Sequence, residues 1–156
     1  MSKLDPYAYS DTRFPRVITP QEIKSMPRMV FEEGIDNAIF LSQERDDARH
    51  FRHGYCFQKA NHTPYIWKQA DFDETHYCLE GQIRLRVKDE TGREVVLEAA
   101  VGEHIWLPAG YEYKLEPTGV DTTFFWTSGP SPRRGLTEVA DYSKTMTGLR
   151  GDVKRS

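Results

Sequence analysis

At 156 residues the chain has the length of one ordinary domain and can bury a core without disulfide or metal staples. Its 21 Lys+Arg against 24 Asp+Glu leave a formal charge of −3, and no central stretch concentrates basic residues among aromatics, which argues against a nucleic-acid face. The opening MSKLDPYAYSDTRFPRV lacks the apolar run of a signal peptide, and no later stretch is apolar for long enough to cross a bilayer, so a cytoplasmic protein with no membrane or nucleic-acid partner is expected.

Taken in chain order, residues 1–28 form an arm with scattered aromatics (Tyr7, Tyr9, Phe14) and one helix start. Thr19 is placed to cap, Pro20 to open the first turn and Glu22 to complete a capping box, with Met26-Pro27 closing the helix. From residue 29 to 130 the text is a series of short β-like runs separated by turn residues: RMVFEE, NAIFLSQ, HFRHGYCFQ, TPYIWKQ, THYCLEG, QIRLRVK, EVVLEA, HIWLPAG, YEYKLE and TTFFWTS. About ten strands without intervening helices predict a sandwich or closed barrel. Asp89-Glu90-Thr91-Gly92 reads as a tight hairpin turn, and the Glu80-Gly81 corner reads as a second hairpin joining THYCLEG to QIRLRVK. Residues 131–156 form a C-terminal extension with a short helix expected after Thr137 and a frayed basic end. Cys56 and Cys78 have no Cys-x-x-Cys spacing and read as free thiols.

Two stretches carry a resemblance. Glu74-Thr75-His76-Tyr77-Cys78-Leu79-Glu80-Gly81 is similar to the Glu-x-x-Tyr-Val-Leu-Glu-Gly of the cupin superfamily. Gly102 through Pro108-Ala109-Gly110 to Tyr113 follows that superfamily's Gly, five residues, Pro-x-Gly, two residues, His, with Tyr113 in the place of the His. Within cupins the pattern looks most like the ethanolamine-utilisation EutQ type, on Phe72-Asp73-Glu74 and the Leu-Glu-Gly that follows. The resemblance covers roughly residues 60 to 127, without the arms, and implies an all-β fold, the double-stranded β-helix or jelly-roll barrel, to which the residues outside it add an N-terminal arm and short peripheral helices. Counting back four residues from Glu74 puts Trp67 and Gln69 where a metal-binding cupin has its His-x-His, so of the expected ligands only the carboxylate survives. A transition metal needs three or four converging N, O or S donors, and no metal or other cofactor is expected; a divalent metal on Glu74 with His76, His104 or Gln69 is the remaining option.

Strand alternation then selects a candidate pocket. With Glu74 pointing in, His76 and Cys78 follow it inward; Tyr65, Trp67 and Gln69 are taken inward on the preceding run, Lys68 outward; Tyr113, His104 and Trp106 are assigned inward later in the chain. Desolvation among aromatics favours the neutral form of a carboxyl, so Glu74 is the expected acid/base, with Tyr113 and His76 sharing its proton or polarising a carbonyl, and Tyr65, Trp67, Gln69, His104 and Trp106 binding substrate. The plainer readings stand beside these: Glu74 bonding backbone amides at a barrel corner, His76 as a satisfied core histidine, Trp67 and Trp106 as packing. His50, His53 and Cys56 are spaced for a helix face but lie in a run that reads as a strand, which separates them. The expected function is a metal-independent, EutQ-like cupin that binds a small metabolite and carries out isomerisation, elimination or hydrolysis through Glu74. A non-catalytic binding or accessory cupin of a catabolic, ethanolamine-type pathway is the alternative. The apolar arm before the barrel gains most by lying across another subunit, so a homodimer is expected.

Overall fold

The computed structural model describes residues 15–42, 46, 48, 50–63, 67–70, 72–89 and 91–129. The first fourteen residues of the arm and the C-terminal extension, including the helix expected after Thr137, lie outside them.

Helix α1, Pro20–Ser25, forms as its signals require: the Thr19 side chain accepts from the Glu22 amide at 3.2 Å, Pro occupies the first turn, and Met26 closes the end with its amide on the Ile23 carbonyl. All ten β-like runs become strands: β1 Met29–Glu32, β2 Ile35–Leu41, β3 Arg52–Gln58, β4 Lys68–Gln69, β5 Asp73–Glu80, β6 Gln82–Lys88, β7 Glu94–Ala100, β8 His104–Leu107, β9 Glu112–Leu115 and β10 Thr122–Gly129. They pair antiparallel in two sheets, one ordered β1-β2-β3-β10-β5-β8 and the other β4-β9-β6-β7.

The Asp89–Gly92 turn is the expected hairpin: Asp89 Oδ1 accepts from the Thr91 and Arg93 amides at 2.9 Å each, and Gly92 sits at φ 80°. The Glu80-Gly81 corner is not a hairpin. β5 pairs with β10 and β8, while β6 pairs with β7 and β9, so the corner carries the chain from one sheet to the other. Gly81 allows this at φ 74°, where a side chain would run into the Asp121 carbonyl and the Thr122 side chain.

Each sheet turns its even- or odd-numbered apolar positions onto one core. Ile35, Cys56, Cys78, Ile105, Leu107 and Phe124 of the larger sheet meet Ile83, Leu85, Val87, Ala99 and Leu115 of the smaller. Complete burial of a side chain such as Ile35, Ile83, Leu85 or Leu107 contributes about 1.5–3 kcal/mol. The outer face of the larger sheet is aromatic, with Phe40, Tyr55, Phe57 and Phe125 packed against Ile18, Ile23 and Met26. The described part of the arm therefore covers its own barrel. The outer face of the smaller sheet is a charge ladder, Arg84–Glu98, Arg86–Glu94, Arg86–Glu116 and Lys88–Glu112, solvated and worth little individually.

Candidate active site

Residues that face each other across paired strands share a side of the sheet. On the inner face of the larger sheet this gives three rows running from β3 through β10 to β5 and β8. The first is Arg52, Ser128, Glu74, Leu107; the second is Gly54, Trp126, His76, Ile105; the third is Cys56, Phe124, Cys78. The third row is core. The first two carry the polar side chains.

Glu74 and His76 are paired: His76 Nε2 lies 3.0 Å from Glu74 Oε2, with the histidine 3% and the glutamate 15% exposed. The imidazole is held by the rings around it, stacked on Phe124 at 5.0 Å between centroids and edge-on to Tyr113 at 6.4 Å. Its other nitrogen, Nδ1, is buried and has no hydrogen-bond partner among the described residues. An unpartnered lone pair is less costly there than an unpartnered N–H, so the neutral tautomer with the proton on Nε2 fits best, donating to the carboxylate. Glu74 thus presents a carboxylate at the more open end of a buried histidine.

Trp126 makes the wall beside this pair. Its indole rests where a side chain on Gly54 would be, and Nε1 donates to Asn37 Oδ1 at 2.8 Å. Asn37 is inward on β2, opposite Cys56. Arg52 donates from Nε to Ser128 Oγ at 2.8 Å, and its guanidinium lies 5.7 Å from the ring centroids of both Phe72 and Trp126. Burial pushes the Cys56 thiol far above its ordinary range, and Cys78 is raised by the same cause, so both are neutral thiols rather than nucleophiles.

On the smaller sheet, Lys68 pairs with Tyr113, which pairs with the buried Val87, so Lys68 and Tyr113 face inward. The positive charge of Lys68 also acts on the interior Cys56 thiol. This reverses the expected parity of the strand. Trp67 faces out, its ring 4.2 Å from Lys88 Nζ and 5.1 Å from Lys114 Nζ, two side chains of the outer charge ladder. Gln69 pairs with Glu112. His104 and Trp106 are corrected likewise: β8 buries Ile105 and Leu107, leaving Trp106 65% exposed and the His104 ring against Tyr77 on the outer face. Tyr65 lies outside the described residues.

Of the candidate site residues, the barrel brings together Glu74, His76 and Tyr113. It adds four that the motif count passed over: Asn37, Arg52, Lys68 and Trp126. Strand alternation contained the signal for two of them, since Arg52 shares the parity of Cys56, and Lys68 that of Glu74. His53, from the spaced histidine run, faces out into Phe40, Phe51 and Phe125 with Nδ1 2.7 Å from Thr127 Oγ1, on the opposite side of β3 from Cys56.

The donors suit a metal poorly. Glu74 and His76 are bound to each other, and His104, another member of the optional ligand set, lies on an outer face. Among the described residues no three His, Cys, Asp or Glu side chains converge.

No protein-family sequence model and no curated protein matches the chain. Solved structures do. A variant of Bacillus subtilis oxalate decarboxylase superposes with a TM-score of 0.63 at 12% identity over 80% of this chain and 33% of that one. The same enzyme at pH 4.6 gives 0.63 at 13% identity over 78% and 31%, and Clostridium difficile EutQ gives 0.51 at 19% identity over 64% and 70%. The chain spans about a third of the decarboxylase, a protein described with Mn(II) centres. The likeness is one of fold: the chain has the cupin jelly-roll, as its two motifs implied.

Proposed function

We propose that this barrel binds a small metabolite and transfers a proton on it without a resident metal, with Glu74 as the acid/base and His76 as the residue that positions it. The observation that carries this reading is the 3.0 Å Glu74–His76 pair on the inner face, with the carboxylate more open than the imidazole behind it. The Nε2–H bond ties down one carboxylate oxygen and leaves Oε1 to take a proton from a carbon or oxygen next to a carbonyl. Returning that proton to a neighbouring atom is an isomerisation; returning it to a leaving group is an elimination. In this reading Tyr113, inward beside His76, polarises the carbonyl; its ring lies edge-on to the imidazole at 6.4 Å between centroids.

The test begins with a thermal-shift screen of metabolites, followed by turnover of the ligands found. Glu74→Gln keeps an acceptor for His76 but cannot carry the proton, so turnover should fall by about 10²–10⁴ while melting is nearly unchanged. Unaltered turnover in that variant, or activity that tracks metal content after chelation, defeats the proposal. A homodimer belongs to the same reading: β8 is the edge of the larger sheet and exposes Trp106, whose ring a second copy would take out of water.

A further inference from the structure

His76 has two ring nitrogens, and the fold uses one. Nε2 lies 3.0 Å from Glu74 Oε2, while Nδ1 is buried without a hydrogen-bond partner among the described residues, in a side chain only 3% exposed. Buried polar atoms are nearly always paired, so this one points to a partner that the chain does not itself supply. The donors beside it in the strand rows are engaged elsewhere. Trp126 Nε1 donates to Asn37 Oδ1 at 2.8 Å, Asn37 Nδ2 points to Cys56 Sγ at 3.8 Å, and the Cys78 thiol points to the Glu80 and Gly81 carbonyls at 3.7 Å each. The Phe124 stack, 5.0 Å between centroids, and the Glu74 bond hold the imidazole in place. With the proton on Nε2, Nδ1 is an acceptor, and its lone pair leaves the ring well away from the Nε2–H direction, so a group bound there does not compete with Glu74. Glu74 itself makes no bond through Oε1 among the described residues. The two unused atoms of the pair are therefore both acceptors.

We propose that Nδ1 of His76 is the recognition atom of this site, accepting a hydrogen bond from a hydroxyl or N–H of a small ligand whose reacting atom is delivered to Glu74 Oε1. This deepens the acid/base reading and rests on it for the role of Glu74 alone. His76 then touches the ligand as well as holding the carboxylate. A consequence of definite sign follows. The fold has already taken Nδ1 out of water, so a ligand's donor gains a bond there without stripping water from the ring, and capping that donor with a methyl group weakens binding.

Binding is read by NMR titration of the full chain, labelled with nitrogen-15 in histidine, using pairs of probes that differ by one methylated donor: hydroxyacetone and methoxyacetone, N-methylacetamide and N,N-dimethylacetamide, benzyl alcohol and benzyl methyl ether. The expected result is that at least one donor probe binds about fivefold or more tightly than its methylated partner and moves the His76 Nδ1 resonance toward the hydrogen-bonded range, which the methylated partner does not. Which pair responds distinguishes a hydroxyl from an N–H. In His76→Gln the amide N–H can stand where Nε2–H stands and nothing replaces Nδ1, so the donor probe should weaken by about fivefold and the preference should vanish. If that variant does not fold, the Nδ1 resonance of the parent decides. Equal binding within every pair, no binding by any probe, an Nδ1 resonance unmoved by a bound donor, a protonated Nδ1 in the unliganded protein, or a preference that survives in His76→Gln overturns the inference. The two readings fail separately. A donor preference that needs His76, with turnover indifferent to Glu74→Gln, removes the acid/base role and keeps the recognition atom. Turnover that needs Glu74, on a ligand that leaves Nδ1 unmoved, does the reverse.

Discussion

Gly54→Ala tests the wall of the site with a single methyl. Gly54 is buried on β3 with extended neighbours, so the backbone accepts Ala; the obstacle is Trp126, whose Cε2 and Nε1 would lie 2.5 and 2.8 Å from the new Cβ. Those separations are well inside van der Waals contact, so the indole must swing away. A displaced ring loses the Nε1–Asn37 bond of 2.8 Å and leaves Oδ1 of Asn37, itself only 7% exposed, without its donor. An overpacked ring costs about 1–3 kcal/mol, and a buried acceptor stripped of its partner costs about 1–3 kcal/mol more, part of which relaxation recovers. A net loss of about 2–4 kcal/mol corresponds to a fall in Tm of roughly 4–16 °C for a chain of this size. Calorimetric melting gives the total, and a double-mutant cycle with Asn37→Ala gives the mechanism: once Gly54→Ala has displaced the indole, losing Asn37 should cost little more, a coupling of about 1 kcal/mol or greater. A Tm within about 1 °C of the parent, or additive effects in the cycle, would refute the reasoning.

Glu74→Gln should melt within about 1 kcal/mol of the parent because the amide oxygen still accepts from His76, whereas Glu74→Ala orphans both ring nitrogens and should cost about 1–3 kcal/mol; equal melting of the two would break the assigned pairing. Burial holds His53 below its ordinary pKa of 6.5, so the unfolded chain binds the proton more readily and stability falls as pH drops through that value. Replacing His53 with Phe should therefore reduce the drop in Tm between about pH 7.5 and about pH 5, and an unchanged drop would exclude this source. Cys56 and Cys78, both buried with raised pKa, should react with a thiol reagent only in denaturant; fast reaction of the native protein would contradict their placement. Light scattering should give twice 18.1 kDa, and Trp106→Glu should shift that mass toward the monomer; a monomeric parent ends the dimer reading.

The fold was legible because each of its signals is local. Runs such as QIRLRVK and EVVLEA alternate along their own length, the Asp89–Gly92 turn supplies its own hydrogen bonds, and the Thr19 cap is complete within four residues. What stayed hidden is pairing between distant strands. Glu80-Gly81 has the composition of a hairpin, and only the Thr122 and Asp121 backbone packed against it shows that the chain is changing sheets there. The inward assignment of His104 and Trp106 failed for a related reason. Four residues of HIWL fit either parity, and the choice is made by Leu107 pairing with Glu74 across strands more than thirty positions apart.

The reversed parity at residues 67–69 changes what the site means. A count of four from Glu74 made the missing metal ligands Trp67 and Gln69, which reads as a site emptied of its chemistry. The structure keeps even-numbered positions buried or inward through the corner, Lys68, Ala70, Phe72, Glu74, His76 and Cys78, so no side is exchanged at the turn. The inward position near the expected ligands is then a lysine. An ammonium is a donor and cannot serve as a metal ligand, so the residue on the inner face at this strand differs in kind from the histidines that the motif count sought. The Glu74–His76 pair on the facing strand is untouched by this reversal, so the acid/base proposal stands on that pair and not on the positions counted back from it.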